Sequence, residues 1–332
     1  MGRVSTFADP EIIRMCKEEF VPLTGDDWYQ RRRQDAIGVF FRKVADQVPG
    51  AQGGASNRQG VYIFTADGKL LGARNQNDAD TMRDVLKQAL KVFNNQPLGA
   101  VGPGRIKVEE LGKLDTEYVR TPPKNGLIVN VYTRILDKDK KGEYCLGSCD
   151  FWGGDRAAHD HLWLQEDEWK ALVPSSPKKG ENVPLPPHVA KRILRFHLVD
   201  NTRGEALSWS SKEVRKQNLK LTVTEVTAKA VALQLEGSAL MATGEDPETA
   251  TRGYDANLLI NLEYNLEKKS IVRFDGVAMG SHWGIGPYTP GARPGRTPLG
   301  IAFELSSGDR PADHVPPAGT RYLPGYLRAD GE

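Results

Sequence analysis

At 332 residues the chain is about twice the length of a common domain, and with 39% apolar and 27% charged residues it can fill two cores and is too apolar to stay disordered. Lys and Arg number 45 against 43 Asp and Glu, a net charge of +2, which supplies no global field for a polyanion and argues against a dedicated nucleic-acid protein. No run approaches the roughly 18 consecutive apolar residues of a membrane span, no apolar signal core follows Met1, and three cysteines make no disulfide framework. The expectation is a cytoplasmic protein, or a periplasmic or exported one if an upstream signal peptide has been removed.

In chain order, Asp9-Pro10-Glu11 supplies a cap, a first-turn proline and a first-turn acid, and Ile12, Ile13, Cys16 and Phe20 follow at helical spacing. Phe20-Val21-Pro22-Leu23 reads as a short strand. Residues 28–48 read as one helix, with Arg31-Arg32-Arg33 on its wet face. Val61–Phe64 is a strand, Asp67-Gly68 a hairpin turn, and Lys69–Ala73 its antiparallel return. Met82, Val85, Leu86, Ala89 and Phe93 then place one apolar face on a helix over 78–93. These residues, 1–96, form the first domain. Residues 97–126, rich in Gly, Pro and charge, read as a connector.

From 127 to 332 strand signals dominate, at 127–136, 219–227, 230–241, 257–264, 271–279 and 299–305. Leu219, Leu221 and Val223 alternate with polar neighbours, as antiparallel strands with one wet side do. Helices are expected at 166–173 and 188–198. The fold class is therefore α+β, its second domain an antiparallel β sandwich or partly closed barrel with helical insertions.

The order helix, strand, helix, strand, Asp-Gly turn, strand, helix over residues 5–95 resembles the thioredoxin-like fold. Thr6-Phe7-Ala8-Asp9-Pro10-Glu11 with Phe20-Val21-Pro22-Leu23 is similar to the segment that follows the family's active-site helix. Val61–Lys69 is similar to its third-strand segment and turn. The resemblance implies a Cys-x-x-Cys pair just upstream of the first of these segments and a cis-proline near Gln59 or Gly60. The sequence as it stands has neither, so the family's disulfide exchange is not carried over, although an upstream extension bearing the pair would restore it. Cys16 shares a helical face with Ile12 and Phe20, the setting of a small buried hydrophobe with a raised pKa.

Two clusters carry candidate chemistry. Cys145, Cys149, His159 and His161 are thiolate and imidazole donors suited to zinc or copper, and Gly147 permits a turn between the cysteines. His159 and His161, two apart, point the same way in an extended chain. The same spacing also allows a Cys145–Cys149 disulfide, or two strand-end cysteines and two surface histidines. The second cluster is the Gly- and Pro-rich stretch 279–291, whose His282, Trp283 and Tyr288 suggest either a loop over a ligand pocket or an aromatic plug, with Arg273 and Asp275 on the preceding strand facing the same ligand. His188 and His197 are taken as ordinary helix residues. Phosphate-loop, dinucleotide, nucleophile-elbow and zincin motifs are absent from the sequence. The reading that results is a redox-inactive binding or scaffold module for an unidentified protein or small ligand, with a metal or thiol-redox protein as the alternative.

Overall fold

The computed structural model describes residues 6–49, 58–75, 78–96, 110, 112–147, 157–289 and 291–328, and the chain divides into two units, Met1–Arg120 and Thr121–Glu332. Cys149, part of the expected metal cluster, lies outside the described residues.

In the first unit Asp9 caps helix α1 (Pro10–Glu18) by accepting from the Glu11 and Ile12 amides, both at 3.0 Å. Ile12 and Met15 on its inner face meet Ile63 of strand β1 (Val61–Phe64) and Met82, Leu86 and Ala89 of helix α4 (Ala79–Asn94), forming one small core. β1 pairs antiparallel with β2 (Leu70–Arg74) through the Asp67-Gly68 turn, where Gly68 has φ +85°. Cys16 packs at the rim of this core, where burial pushes its thiol up.

Two expectations for this unit need correction. The helix over 28–48 is two pieces, α2 (Asp27–Gln30) and α3 (Ala36–Ala45), because Asp35 restarts the helix by capping the Gly38 amide at 3.1 Å. Arg33 is therefore buried, not on a wet face: it holds Asp35 through Nε at 2.7 Å, and the pairing keeps that carboxyl below the usual carboxylate range. Phe20–Leu23 forms no strand. Strand-favouring residues make a strand only where a neighbour supplies the other half of a ladder, and among the described residues none does; Val21 is 86% exposed.

The second unit is built on a nine-stranded antiparallel sheet. Its strands are β3 (Leu127–Lys138), β4 (Tyr144–Leu146), β5 (Ala157–Leu164), β6 (Asn182–Val183), β7 (Val214–Val226), β8 (Ala230–Ala242), β9 (Arg252–Asn265), β10 (Ser270–Gly284) and β11 (Thr297–Leu305). The order runs β4-β3-β11-β10-β9-β8-β7-β6, and β5 joins β3 on the side that β4 also uses. All nine strands hydrogen-bond in one sheet, so the two-sheet sandwich is not what forms. The inner face carries Val131, Leu162, Val223, Leu233, Ile260, Ile301 and Phe303. These pack with Trp169 and Leu172, which belong to and follow helix α5 (Glu166–Lys170), and with Val189 of helix α6 (Pro187–Arg192) and Ile193 and Leu194 of the π turn that prolongs it. Among the described residues no helix is long and apolar enough to cross a membrane.

Gly276 and Gly280 lie on the inner face of β10, either side of Ala278. A Cβ on Gly276 would sit 2.2 Å from the Leu259 carbonyl oxygen, and one on Gly280 1.9 Å from that of Asp255, so β9 crosses too close to admit a side chain. Gly276→Val is expected to lower the unfolding free energy by about 3 kcal/mol, the upper end for overpacking, because backbone and not a flexible side chain must yield. Urea unfolding of the variant measures it, and a loss under about 1 kcal/mol would show that the strands can part.

At Trp163 the free edge of β5 is capped by side chains. Trp163 donates its amide to the Tyr326 hydroxyl at 3.1 Å, and Arg192 donates to the Trp163 carbonyl at 3.1 Å. Arg192 also reaches the Tyr326 carbonyl at 2.8 Å, the Leu327 carbonyl, and both carboxylate oxygens of Glu168. The C-terminal helix α7 (Leu323–Arg328) is thereby tied to β5 and α5, and the Trp163 backbone groups are taken out of reach of another chain.

Candidate functional site

Strand β10 runs on through the stretch expected to be a loop. Gly280–Gly284 continue the ladder, with His282 opposite Tyr254 on β9 and Thr297 on β11. The correction has a steric cause: glycine has low strand propensity, but the close approach of β9 requires it there. His282 and Trp283 are accordingly buried strand residues. Trp283 lies on Gly253, donates to the Ala250 carbonyl at 2.9 Å and carries the Arg296 guanidinium 3.8 Å over its ring.

His282 points at a buried polar cluster formed by the residues after the π turn. Asp200 Oδ1 accepts from the Thr202 amide at 3.0 Å and its hydroxyl at 2.6 Å, and Oδ2 accepts from Arg203 Nε at 2.7 Å. The imidazole Nδ1 stands 4.0 Å from Oδ2. Arg203 spends its remaining donors on the turn that follows β10, reaching the Thr289 carbonyl at 2.9 Å and the Gly284 carbonyl at 3.0 Å. Gly204 lies so close beneath this turn that a Cβ there would be 1.6 Å from the Tyr288 carbonyl oxygen. Inside the turn Gly286 donates to Thr289 Oγ1 at 2.8 Å.

Electrostatics keep the cluster in one charge state at neutral pH. Burial pushes His282 down to about 4; Asp200 opposes this, and the guanidinium groups of Arg203, Arg252 and Arg293 add to it. Asp200 lies below its ordinary value: burial would raise it, and the charges of His282 and Arg203 with the donors of Thr202 and Arg203 outweigh burial. The cavity between His282, Asp200, Arg203 and Thr297 measures about 10 Å³, room for one water and not for a substrate. What the arrangement does is fix the turn, which leaves Ile285 56% and Tyr288 62% exposed at its tip.

Arg273 and Asp275 do not join His282. They sit toward the other end of β10, opposite Glu263 and Asn261, with Asp275 seven residues and Arg273 nine from His282, roughly 23 and roughly 30 Å along the strand, and they pair with each other at the surface, Nη2 to Oδ2 at 2.9 Å.

The expected metal cluster also separates. Cys145 is exposed and faces Asp137 on β3, whereas His159 faces Tyr132 and His161 faces Asn130. Asp137 and Tyr132 are five residues apart, roughly 16 Å along the strand. The two histidines do come together, with ring centroids 4.6 Å apart, and His159 stacks on Tyr132 at 4.7 Å and 13°. Its Nε2 is 3.1 Å from Asn130 Oδ1. Burial lowers both imidazoles, and for His161 the neighbouring His159 adds to it, against the charges of Asp160 and Asp313. Among the described residues no group of three His, Cys, Asp or Glu side chains is placed to hold an ion.

The polar residues missed in the sequence are Asp200, Thr202 and Arg203. The signal available was the run Asp200-Asn201-Thr202-Arg203-Gly204, four polar residues and a glycine directly behind an apolar helix. His197, taken as ordinary, is buried with Nε2 2.9 Å from the Tyr326 hydroxyl and Nδ1 3.5 Å from Asp160 Oδ2.

No family model matches the chain, and no solved structure matches it. Among curated proteins, the KICSTOR complex protein kaptin of Mus musculus is 33% identical over 125 residues, which cover 37% of this chain. The chain spans 26% of that relative's length.

Proposed function

We propose that the chain is a binding or scaffold module, with a redox-inactive thioredoxin-like first unit and a second unit that presents a preformed turn to a protein partner. The observation that carries this is the turn Gly284–Thr289. Two carbonyls are held by one buried arginine, a glycine beneath lets the backbones touch, and the tip displays an isoleucine and a tyrosine to solvent. Exposed aromatic and aliphatic groups on a rigid support lose little entropy on binding, which is what a contact surface needs. The partial likeness to a KICSTOR complex protein supports a role in an assembly. In the first unit, helix α1, the β1–β2 hairpin and helix α4 support the thioredoxin-like reading. The absence of a Cys-x-x-Cys pair from the sequence and the partly buried Cys16 with its raised thiol support inactivity.

A photo-crosslinking phenylalanine at position 288 tests the contact. Irradiation in cells is expected to give a discrete protein adduct, and the same probe at exposed Lys229, in the β7–β8 turn, none. Equal labelling from both positions, or no adduct from 288, would refute it. Reduction of insulin disulfides with dithiothreitol is expected to run at the uncatalysed rate; a rate equal to an active thioredoxin's would overturn the redox-inactive reading.

A further inference from the structure

The histidine pair on β5 serves no purpose in the turn-presenting role, and the cysteines do not account for it. His159 and His161 project from one face of the strand toward Tyr132 and Asn130 of β3. His161 is only 3% exposed, and beyond a loose backbone contact to Val315 its ring makes no well-formed hydrogen bond among the described residues, which leaves at least one buried ring nitrogen without a partner. A buried polar group left unpaired is costly and calls for an explanation. His159 supplies part of one. Asn130 Oδ1 can only accept, so the ring's Nε2 must donate to it at 3.1 Å, which fixes the tautomer and leaves the Nδ1 lone pair unprotonated. Metal-bound histidines are commonly oriented in this way, the far nitrogen donating to a carbonyl while the near one takes the ion. Tyr132, stacked at 4.7 Å, holds the ring plane, and the His161 ring centroid lies 4.6 Å from that of His159.

We propose that His159 and His161 form a two-imidazole site for a divalent transition-metal ion of the copper or zinc type, His159 through Nδ1, with Asn130 as a positioning residue and the other coordination positions open to water or to a small anionic ligand. Imidazole without thiolate or a carboxylate cage selects copper, nickel or zinc over magnesium and calcium. Cys145, roughly 16 Å along β3 from this pair, is not a ligand. The site stands independently of the partner-binding role, and failure of either leaves the other in place.

Cu²⁺ is the probe. The full chain, stripped with EDTA and desalted, is titrated in the presence of glycine as competitor, and the bound copper is examined by electron paramagnetic resonance. One equivalent is expected to bind with a two-nitrogen hyperfine pattern. His161→Ala and His159→Ala are each expected to weaken binding at least tenfold and to leave one nitrogen, Asn130→Ala to weaken it roughly tenfold, within the range for orienting partners, and Cys145→Ser to change nothing. If His161→Ala loses its fold by circular dichroism, the exposed His159→Ala carries the test. Copper bound equally well with an unchanged spectrum in the histidine variants, or lost in Cys145→Ser, or not bound at all by the wild-type chain, would overturn the proposal.

Discussion

Replacing Glu168 by Gln is expected to destabilise the second unit by about 3–5 kcal/mol, the cost of leaving one charge of a buried pair without its partner. Arg192 has no exposed surface and Glu168 almost none, so the orphaned guanidinium could not reach water. The geometry adds to the effect. Arg192 is the shared donor for the carbonyls of Trp163, Tyr326 and Leu327, and once Glu168 no longer orients it the bonds that tie helix α7 to the edge of β5 loosen with it. Arg192→Met, which removes the charge but also every one of those donors, should cost a similar amount. The double variant Arg192→Met/Glu168→Leu should recover much of the loss, because an apolar pair of similar volume needs no desolvation. Urea unfolding followed by tryptophan fluorescence suits the measurement, since five of the six tryptophans lie beyond residue 120. A loss below about 1 kcal/mol for Glu168→Gln would mean that water reaches the pair. The variant should also be nicked by protease near residues 311–328 before the sheet itself is.

The six strand signals from Leu127 onward were legible because one face of each strand is buried: Leu221 and Val223 are inner-face residues of β7, and Leu258, Ile260 and Leu262 of β9. Strand ends were not legible, since glycine at 276 and 280 is explained only by how near β9 passes, a fact about a neighbour and not about the local letters. β5 was obscured for the opposite reason. His159-Asp160-His161 advertises chemistry, and the alternation of a strand beneath it is visible only once β3 is in place. The break between α2 and α3 depends on Asp35 finding Arg33 as a partner, which residue periodicity does not encode. In the candidate sites, the aromatic residues and histidines were singled out by type, whereas Asp200 and Arg203 act through one carboxylate and two distant carbonyls. Arg273 and Asp275 share a face of one strand as expected, but β10 runs on without a bulge to His282, an odd number of residues away, so they lie on the opposite face from it as well as at a distance.

The second large effect concerns acid. His282 in the folded chain titrates at about 4 against an ordinary value of 6.5, because the group is buried and faces Arg203, Arg252 and Arg293, with Asp200 as the one carboxylate opposing them. Above pH 6.5 both folded and unfolded chains hold it neutral, and the full stability is present. Between 6.5 and 4 the unfolded chain takes up a proton that the folded chain refuses, so stability must fall with falling pH, by about 3 kcal/mol in total, and level off below 4 where both are protonated. His159 and His161, also lowered by burial, add losses of the same sign. His282→Gln removes the largest of these contributions: its unfolding free energy, measured from pH 7.5 to 4, should run at a constant offset from wild type above 6.5 and gain about 3 kcal/mol on it by pH 4. Parallel curves over the whole range would show that His282 titrates alike in the folded and unfolded chains, and a wild-type curve that instead loses ground on the variant as pH rises past 6.5 would show that His282 is protonated in the folded chain and pairs with Asp200 as a cation. In that case the grip of Arg203 on the Gly284–Thr289 turn would rest on a shared carboxylate, and Asp200→Asn would release Tyr288 far more than His282→Gln does.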